Sequence, residues 1–91
     1  MKTCKVFISG FVQNVGFRQF IKSKAKNLGI KGWVKNAEDN RVEALFQGSK
    51  KNIEKMIKFC EQGPFLAEVK NTTVDYLEDS NSDYDNFDII H

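Results

Sequence analysis

The segment from Gly10 to Arg18, GFVQNVGFR, has the residue types of an anion-binding loop. It joins a predicted strand to the N-terminus of a predicted helix, where unpaired backbone N–H groups and a partial positive charge favour an anion. Gly16 lets the backbone approach a ligand, and Asn14 tolerates the left-handed conformation that would turn several N–H groups inward. Arg18 falls in the first helical turn, where the helix dipole disfavours a cation unless an anion lies beside it. The residues alone are consistent with an oxyanion site, and also with a glycine-containing turn followed by a solvated arginine.

Several other site chemistries are excluded by residue type and spacing. Gly10 and Gly16 do not have the spacing of a Walker loop and no Gly-Lys-Ser/Thr follows, so neither a nucleoside triphosphate nor Mg²⁺ is predicted. The single histidine is the last residue, and two distant cysteines, Cys4 and Cys60, cannot complete a zinc site or a Cys-His pair. The stretch from 79 to 88, DSNSDYDNFD, lacks the Gly and Glu of a calcium loop and is predicted to be a solvated turn. We expect no metal and no cofactor, and two buried thiols.

Hydrophobic periodicity predicts the elements that must position this loop. The predicted strands cover residues 4–9, 32–35, 41–47, 69–77 and 87–90. A helix begins at Phe17 and stops at Gly29, and a second helix begins after the N-cap Ser49 and ends at Gly63 and Pro64. Residues 39 and 40, Asp-Asn, predict a hairpin turn. The order of strands and helices predicts an α+β, ferredoxin-like sandwich (βαββαβ), with two helices on one face of a mainly antiparallel sheet and a short extra C-terminal strand.

Length and composition limit the remaining possibilities. The chain has 91 residues, of which 41% are hydrophobic, and we expect residues 1–91 to form a single domain. No apolar run approaches the ~18 residues of a membrane span, and no signal peptide is visible, so we expect a cytoplasmic protein without a membrane partner. We also expect the protein to be a monomer. Residues 1–58 hold 13 Lys and Arg against 4 Asp and Glu, which could favour an anionic ligand, but a pI of 8.6 does not by itself indicate nucleic acid.

Two motifs resemble those of the acylphosphatase family. The segment from Gly10 to Arg18 is similar to the usual family form G-x-V-Q-G-V-G-F-R, with Phe11 and Asn14 in place of the frequent Arg and Gly. A second family motif, G-x-x-x-N followed by a turn and a V-E strand, is matched by residues 32–36 and 41–43. The segments at 63–69 and 84–87 also fit, so the resemblance extends over essentially the whole chain.

The resemblance implies a ferredoxin-like fold and the hydrolysis of acyl phosphates to a carboxylate and inorganic phosphate. By carry-over, Arg18 and the backbone amides of the loop bind the phosphate, and Asn36 positions the attacking water. The amides implied are those of Gln13, Asn14, Val15, Gly16 and Phe17.

Two other functions share parts of this pattern. A phosphate- or carbamoyl-phosphate-binding module without catalysis would have the same loop. An RNA-binding domain of the RRM type would have the same element order, but residues 41–46, RVEALF, offer one aromatic side chain where such a domain carries a basic residue, a glycine and two stacking aromatics. We therefore expect a small-molecule partner and no nucleic acid.

Overall fold

The computed structural model describes residues 1–78 and 84–90, and within them the chain forms five strands and two helices. The strands are β1 (Lys2–Phe11), β2 (Lys31–Asn36), β3 (Val42–Gly48), β4 (Glu68–Leu77) and β5 (Phe87–Ile89). The helices are α1 (Phe17–Asn27) and α2 (Lys50–Gln62). The predicted ferredoxin-like α+β fold is confirmed, and the predicted ends of the strands lie within two residues of the observed ends.

The sheet places the end of β1 beside the end of β2. Its strand order is β4-β1-β3-β2-β5, and all neighbours are antiparallel except β2 and β5, which are parallel. Ile8, near the end of β1, pairs with Val42 at the start of β3, and Val42 pairs in turn with Asn36 at the end of β2. The loop that follows β1 and the side chain of Asn36 therefore lie at the same end of the sheet, where β1 and β2 terminate.

The core lies between the helices and one face of the sheet. Alternate residues of the two central strands point towards the helices and are fully buried: Cys4, Val6, Ile8, Val42, Ala44 and Phe46. The helices bury a complementary stripe at i, i+3 and i+4 spacing, formed by Phe17, Ile21, Ala25, Ile53, Met56 and Cys60. Burying each large apolar side chain contributes roughly 1.5–3 kcal/mol, so this layer fixes α1 against the sheet and with it the loop before α1.

The predicted stop of α1 is confirmed in detail. Gly29 has φ +68°, and the N–H groups of Gly29 and Ile30 donate to the carbonyl oxygens of Lys26 and Ala25 at 3.1 and 2.8 Å. This is the Schellman arrangement, which favours glycine because only a residue without a Cβ adopts the left-handed conformation freely.

The prediction that the loop begins at Gly10 is wrong, because β1 continues to Phe11. Gly10 has φ +128°, and a Cβ placed on it would overlap the carbonyl oxygen of Glu68 in β4. The β1–β4 register shifts between Ser9 and Gly10, so the glycine permits a bulge at which two backbones come close, and the ladder then resumes. The loop proper is therefore Val12–Gly16.

Two further sequence predictions concern the C-terminal part and the cysteines. Residues 79–83 of the predicted solvated turn lie outside the described residues, as does His91, whereas Phe87 and Asp88 belong to β5. Cys4 and Cys60 are buried free thiols, as predicted.

Among the residues that the structure describes, neither helix has the length and apolar character needed to cross a membrane.

Candidate active site

An open pocket of about 370 Å³ lies at the end of the sheet where β1 and β2 terminate. The loop and α1 line it with Asn14, Gly16, Phe17 and Arg18, and β2 lines it with Asn36. The structure thus brings together two motifs that are separated by about 20 residues in the chain. Its lining includes Arg18 and Asn36, the two side chains to which the family resemblance assigns the phosphate and the attacking water.

The loop curls through two residues in the left-handed conformation. Asn14 has φ +62° and Gly16 has φ +78°. Asparagine is one of the few side chains that accept this conformation at modest cost, so the departure from glycine at position 14 is compatible with the observed backbone. A Cβ added to Gly16 would meet no atom within 4 Å, so Gly16 is required by its backbone conformation and not by crowding. Val12, 1% exposed, anchors the start of the loop in the core.

The N-terminus of α1 is open. Its N-cap, Gly16, provides no side-chain hydrogen bond, and no acidic residue lies in the first turn. The N–H of Phe20 donates to the carbonyl of Gly16 at 3.0 Å, so the N–H groups of the preceding residues have no partner within the helix. By contrast, Ser49 caps α2 by accepting from the N–H of Asn52 at 3.2 Å. The N-terminus of α1 thus presents donors and the positive end of the helix dipole to the pocket.

Arg18 adds a full positive charge beside these donors. Its side chain is half-buried and forms no hydrogen bond or ion pair with any other residue in the described ranges. Its position in the first turn of α1 is electrostatically unfavourable in isolation, as noted from the sequence. An anion held at the helix N-terminus would accept from the guanidinium and relieve that repulsion.

Asn36 presents a free acceptor to the same pocket. Its Oδ1 atom is buried and has no hydrogen-bond partner in the described part of the chain. A buried amide oxygen without a partner costs about 1–3 kcal/mol, a cost that a bound water or ligand donor would remove.

Two of the predicted loop residues, Gln13 and Val15, do not line the pocket. Val15 packs partly against the core. The Nε2 atom of Gln13 donates to the carbonyl oxygens of Ala37 and Arg41 at 3.0 and 2.9 Å, in the turn between β2 and β3. Phe11, which replaces the frequent Arg of the family motif, is 61% exposed and does not line the pocket.

Five residues that line the pocket are not among the predicted site residues: Val12, Gln19, Lys22, Asp88 and Ile89. Lys22 could have been found, because it follows Arg18 by one helical turn and shares its face. Asp88 and Ile89 enter through the parallel pairing of β5 with β2, and a three-residue strand carries no signal for its partner. Lys22 and Asp88 form no ion pair with each other or with another described residue.

Two other cationic side chains near this end of the sheet, Arg41 and Lys35, already have carboxylate partners. Arg41 contacts Asp39 at 2.6 Å, and a hydrogen bond from Arg41 lowers the pKa of the Asp39 carboxyl. Lys35 lies 3.8 Å from Glu43. Arg18 and Lys22 are thus the unpaired cations among the described pocket residues, opposed by the carboxylate of Asp88. In the same ranges, no group of three or more His, Cys, Asp and Glu side chains is arranged to hold a metal ion.

Comparison with known proteins agrees with this geometry. The acylphosphatase family pattern matches residues 4–89. An acylphosphatase from Acaryochloris marina is 43% identical over 86 residues, covering 94% of this chain and 90% of that protein. An acylphosphatase from Trichormus variabilis is 45% identical over 73 residues, covering 80% of this chain and 72% of that protein. The crystal structure of acylphosphatase from Bacillus subtilis superimposes with a TM-score of 0.95, at 28% identity and with both chains fully covered.

The family match covers more than the two short motifs, since it begins in β1 and ends in β5, and so includes every element that borders the pocket. Taken with the sheet order and the position of the loop, these matches show that the chain belongs to the acylphosphatase family.

Proposed function

We propose that this acylphosphatase binds the phosphate of its substrate at the N-terminus of α1 and orients the attacking water with Asn36. The reaction hydrolyses an acyl phosphate to a carboxylate and inorganic phosphate. The observation that carries the proposal is the convergence in one pocket of an uncapped helix N-terminus, an arginine and a buried amide oxygen, the last two having no partner among residues 1–78 and 84–90.

The leaving group explains why so few side chains suffice. The acyl half leaves as a carboxylate, whose conjugate acid has a pKa near ~4, so no general acid is required at neutral pH. Phosphoryl transfer passes through a loose transition state in most accounts, and catalysis then depends on positioning and on stabilising the charge of the equatorial oxygens. Neither task needs imidazole or a pair of carboxylates.

The loop and Arg18 would supply the charge stabilisation. The backbone N–H groups of Asn14, Gly16 and Phe17, which line the pocket, and those of the first turn of α1 donate to phosphate oxygens, while the planar guanidinium of Arg18 binds two of these oxygens. Because these donors are fixed by the left-handed residues Asn14 and Gly16, they need not reorganise as charge develops.

Asn36 would place the nucleophile. Its Oδ1 accepts a hydrogen bond from water and holds the water oxygen in line with the bond that breaks. The water oxygen attacks phosphorus, the phosphorus–acyl oxygen bond breaks, and its electron pair leaves with the carboxylate. An amide is too weak a base to remove the proton, so the proton passes to an oxygen of the phosphate, as the family resemblance implies.

Hydrolysis of acetyl phosphate in the presence of EDTA tests the proposal. We expect turnover in EDTA, competitive inhibition by inorganic phosphate, and loss of activity by about 10³-fold or more in Arg18→Ala, the scale of transition-state arginines. Lys26→Ala is the matched control, since Lys26 is an exposed cation on the same helix and does not line the pocket.

Three results would contradict the proposal. Full activity of Arg18→Ala would remove Arg18 from the site, and loss of activity in EDTA that added Mg²⁺ restores would show a metal requirement. Phosphate inhibition that does not compete with substrate would place the anion elsewhere.

We further propose that the protein acts as a cytoplasmic monomer and does not bind nucleic acid. The free thiols Cys4 and Cys60 fit a reducing compartment. On the sheet face away from the helices, the Nζ atom of Lys35 lies 5.5 Å from the ring centroid of Trp33, and the guanidinium of Arg41 lies 4.6 Å from that of Phe7. Each of these two rings is already covered by a cation, which argues against the use of this pair of rings as a stacking platform for bases. Gel filtration tests the monomeric state, and an RNA titration at low salt tests the absence of RNA binding.

A further inference from the structure

The side chain of Gln13 connects the phosphate loop to the hairpin that carries Asn36. Its Nε2 atom donates two hydrogen bonds, to the carbonyl oxygens of Ala37 at 3.0 Å and of Arg41 at 2.9 Å. The Arg41 carbonyl also accepts from the N–H of Ala37 at 2.7 Å and closes the turn between β2 and β3. A single half-buried amide thus ties together the two strands of the hairpin and the loop.

The two carbonyls flank Asn36 in space. Ala37 follows Asn36 directly in the chain, and Arg41 precedes Val42, whose backbone pairs with Asn36. The carboxamide of Asn36 has no hydrogen bond of its own to another described residue that would hold it in place. The orientation of the Asn36 carboxamide therefore depends on the position of the Asn36 backbone. Gln13 holds that part of the backbone in place through its hydrogen bonds to Ala37 and Arg41.

We propose that the side chain of Gln13 is a positioning residue that acts through the β2–β3 turn on Asn36, separately from the backbone amide that Gln13 contributes to the loop. The inference rests on the proposed role of Asn36. Gln13 fixes the distance between the water site and the phosphate cradle, which are built on different elements. A displacement of about 1 Å between reacting groups can lower a rate by 10²-fold, so a modest shift of the hairpin is sufficient to affect turnover.

Gln13→Met tests the proposal, because methionine has a similar length, lacks the donor and leaves the backbone amide unchanged. We expect kcat for acetyl phosphate to fall by about 10- to 100-fold. The inhibition constant of inorganic phosphate should change by less than about threefold, because the cradle is retained. A role confined to the loop would instead weaken phosphate inhibition as much as it lowers kcat, and that result would overturn the proposal.

A double-variant cycle with Asn36→Ala identifies the route of the effect. If Gln13 acts through Asn36, Gln13→Met should lower kcat by less than about twofold when Asn36→Ala is already present, since coupled residues are not additive. Additive losses would show that Gln13 acts independently of Asn36. Full activity of Asn36→Ala alone would instead refute the role of Asn36, so failure of the proposed function and failure of this inference are distinguishable.

Asn52→Leu is a matched control for loss of a hydrogen bond. The Nδ2 atom of Asn52 donates to the carbonyl oxygen of Leu28 at 2.9 Å, so it is also a half-buried amide that joins two elements, but it lies outside the pocket lining. We expect it to lower the urea midpoint and leave kcat unchanged. If Gln13→Met does not fold, Gln13→Glu, which places a carboxylate against the two carbonyls, is assessed by the same kcat and phosphate measurements. Wild-type kcat in either folded variant would overturn the proposal.

Discussion

Arg18 is the pocket residue for which we expect even a conservative substitution to remove most of the activity. Its guanidinium lies beside an open helix N-terminus and has no partner among the residues described. Arg18→Lys keeps the charge and removes the fork that grips two oxygens, so we expect kcat/KM for acetyl phosphate to fall by about 10³-fold, the lower end for arginines in phosphoryl transfer. Calorimetric titration with inorganic phosphate should show weaker binding in the same variant. Retention of more than a tenth of the activity would mean that charge alone suffices.

Asn14 shows how a departure from the family motif is tolerated by one backbone angle. At φ +62°, an alanine costs about 1–2 kcal/mol, whereas glycine adopts this conformation freely. We therefore expect Asn14→Ala to have a free energy of unfolding about 1 kcal/mol below that of Asn14→Gly, measured by urea denaturation. Equal stabilities of the two variants would show that the loop leaves the left-handed conformation.

At the scale of elements, the junction of β1 and β4 decides where the loop begins. Gly10→Ala would place a Cβ against the carbonyl oxygen of Glu68 at a backbone angle, φ +128°, that side chains rarely adopt. We expect a loss of about 1–3 kcal/mol in stability, the range for overpacked sites. Gly48→Ala is the control, since Gly48 has an ordinary φ and its Cβ would meet Ile30 Cγ1 at 3.3 Å. A loss no larger than that of Gly48→Ala would argue against the close approach.

The same junction shows how far the sequence predicts this fold. Alternation in β1 and the helical stripe in α1 predict the elements, because burial of one face imposes those periods. Gly10 is recognisable as a special residue, but its pairing with β4 depends on a strand that begins at Glu68, and local patterns do not show which strands become neighbours. The positions of Arg18 and Asn36 follow from the motifs. The two hydrogen bonds of Gln13 and the contribution of Asp88 require the hairpin and β5 to be in place.

At the scale of the whole molecule, cations on the open face of the sheet have carboxylate partners, whereas the pocket cations do not have them among the described residues. On the sheet face away from the helices, Lys5 and Lys35 are paired with Glu43, and their Nζ atoms lie 3.5 and 3.8 Å from its carboxylate oxygens. Such half-exposed pairs add little stability, but they reduce the positive potential of that face. Arg18 and Lys22 remain unpaired in the pocket, so an anion is drawn to the pocket in preference to the open face of the sheet.

Because its two thiols are buried, the protein is expected to lose stability as the pH becomes alkaline. Burial raises the pKa of Cys4 from 9.0 to about 11, and burial, with a smaller contribution from Cys4, raises the pKa of Cys60 as well. The native state therefore holds these protons more tightly than the unfolded state, so the stabilising contribution is fully present below about pH 9 and is lost as the pH rises towards 11. Burial also raises the pKa of Tyr76, which adds a slope of the same sign.

Urea midpoints measured from pH 7 to pH 10 isolate the contribution of the cysteines. We expect a constant midpoint from pH 7 to pH 8 and a fall above pH 9 in the wild-type protein. The double variant Cys4→Ala, Cys60→Ala should have a lower urea midpoint at pH 7, because two buried sulfurs are lost from the core, but its midpoint should fall less steeply above pH 9.

In the native wild-type protein, a thiol reagent should react with neither cysteine at pH 8 and with both after denaturation. Equal slopes above pH 9 in the two proteins would show that the cysteines do not cause the alkaline loss and would leave Tyr76 as its source. Rapid labelling of the native protein would show that the layer between the helices and the sheet opens.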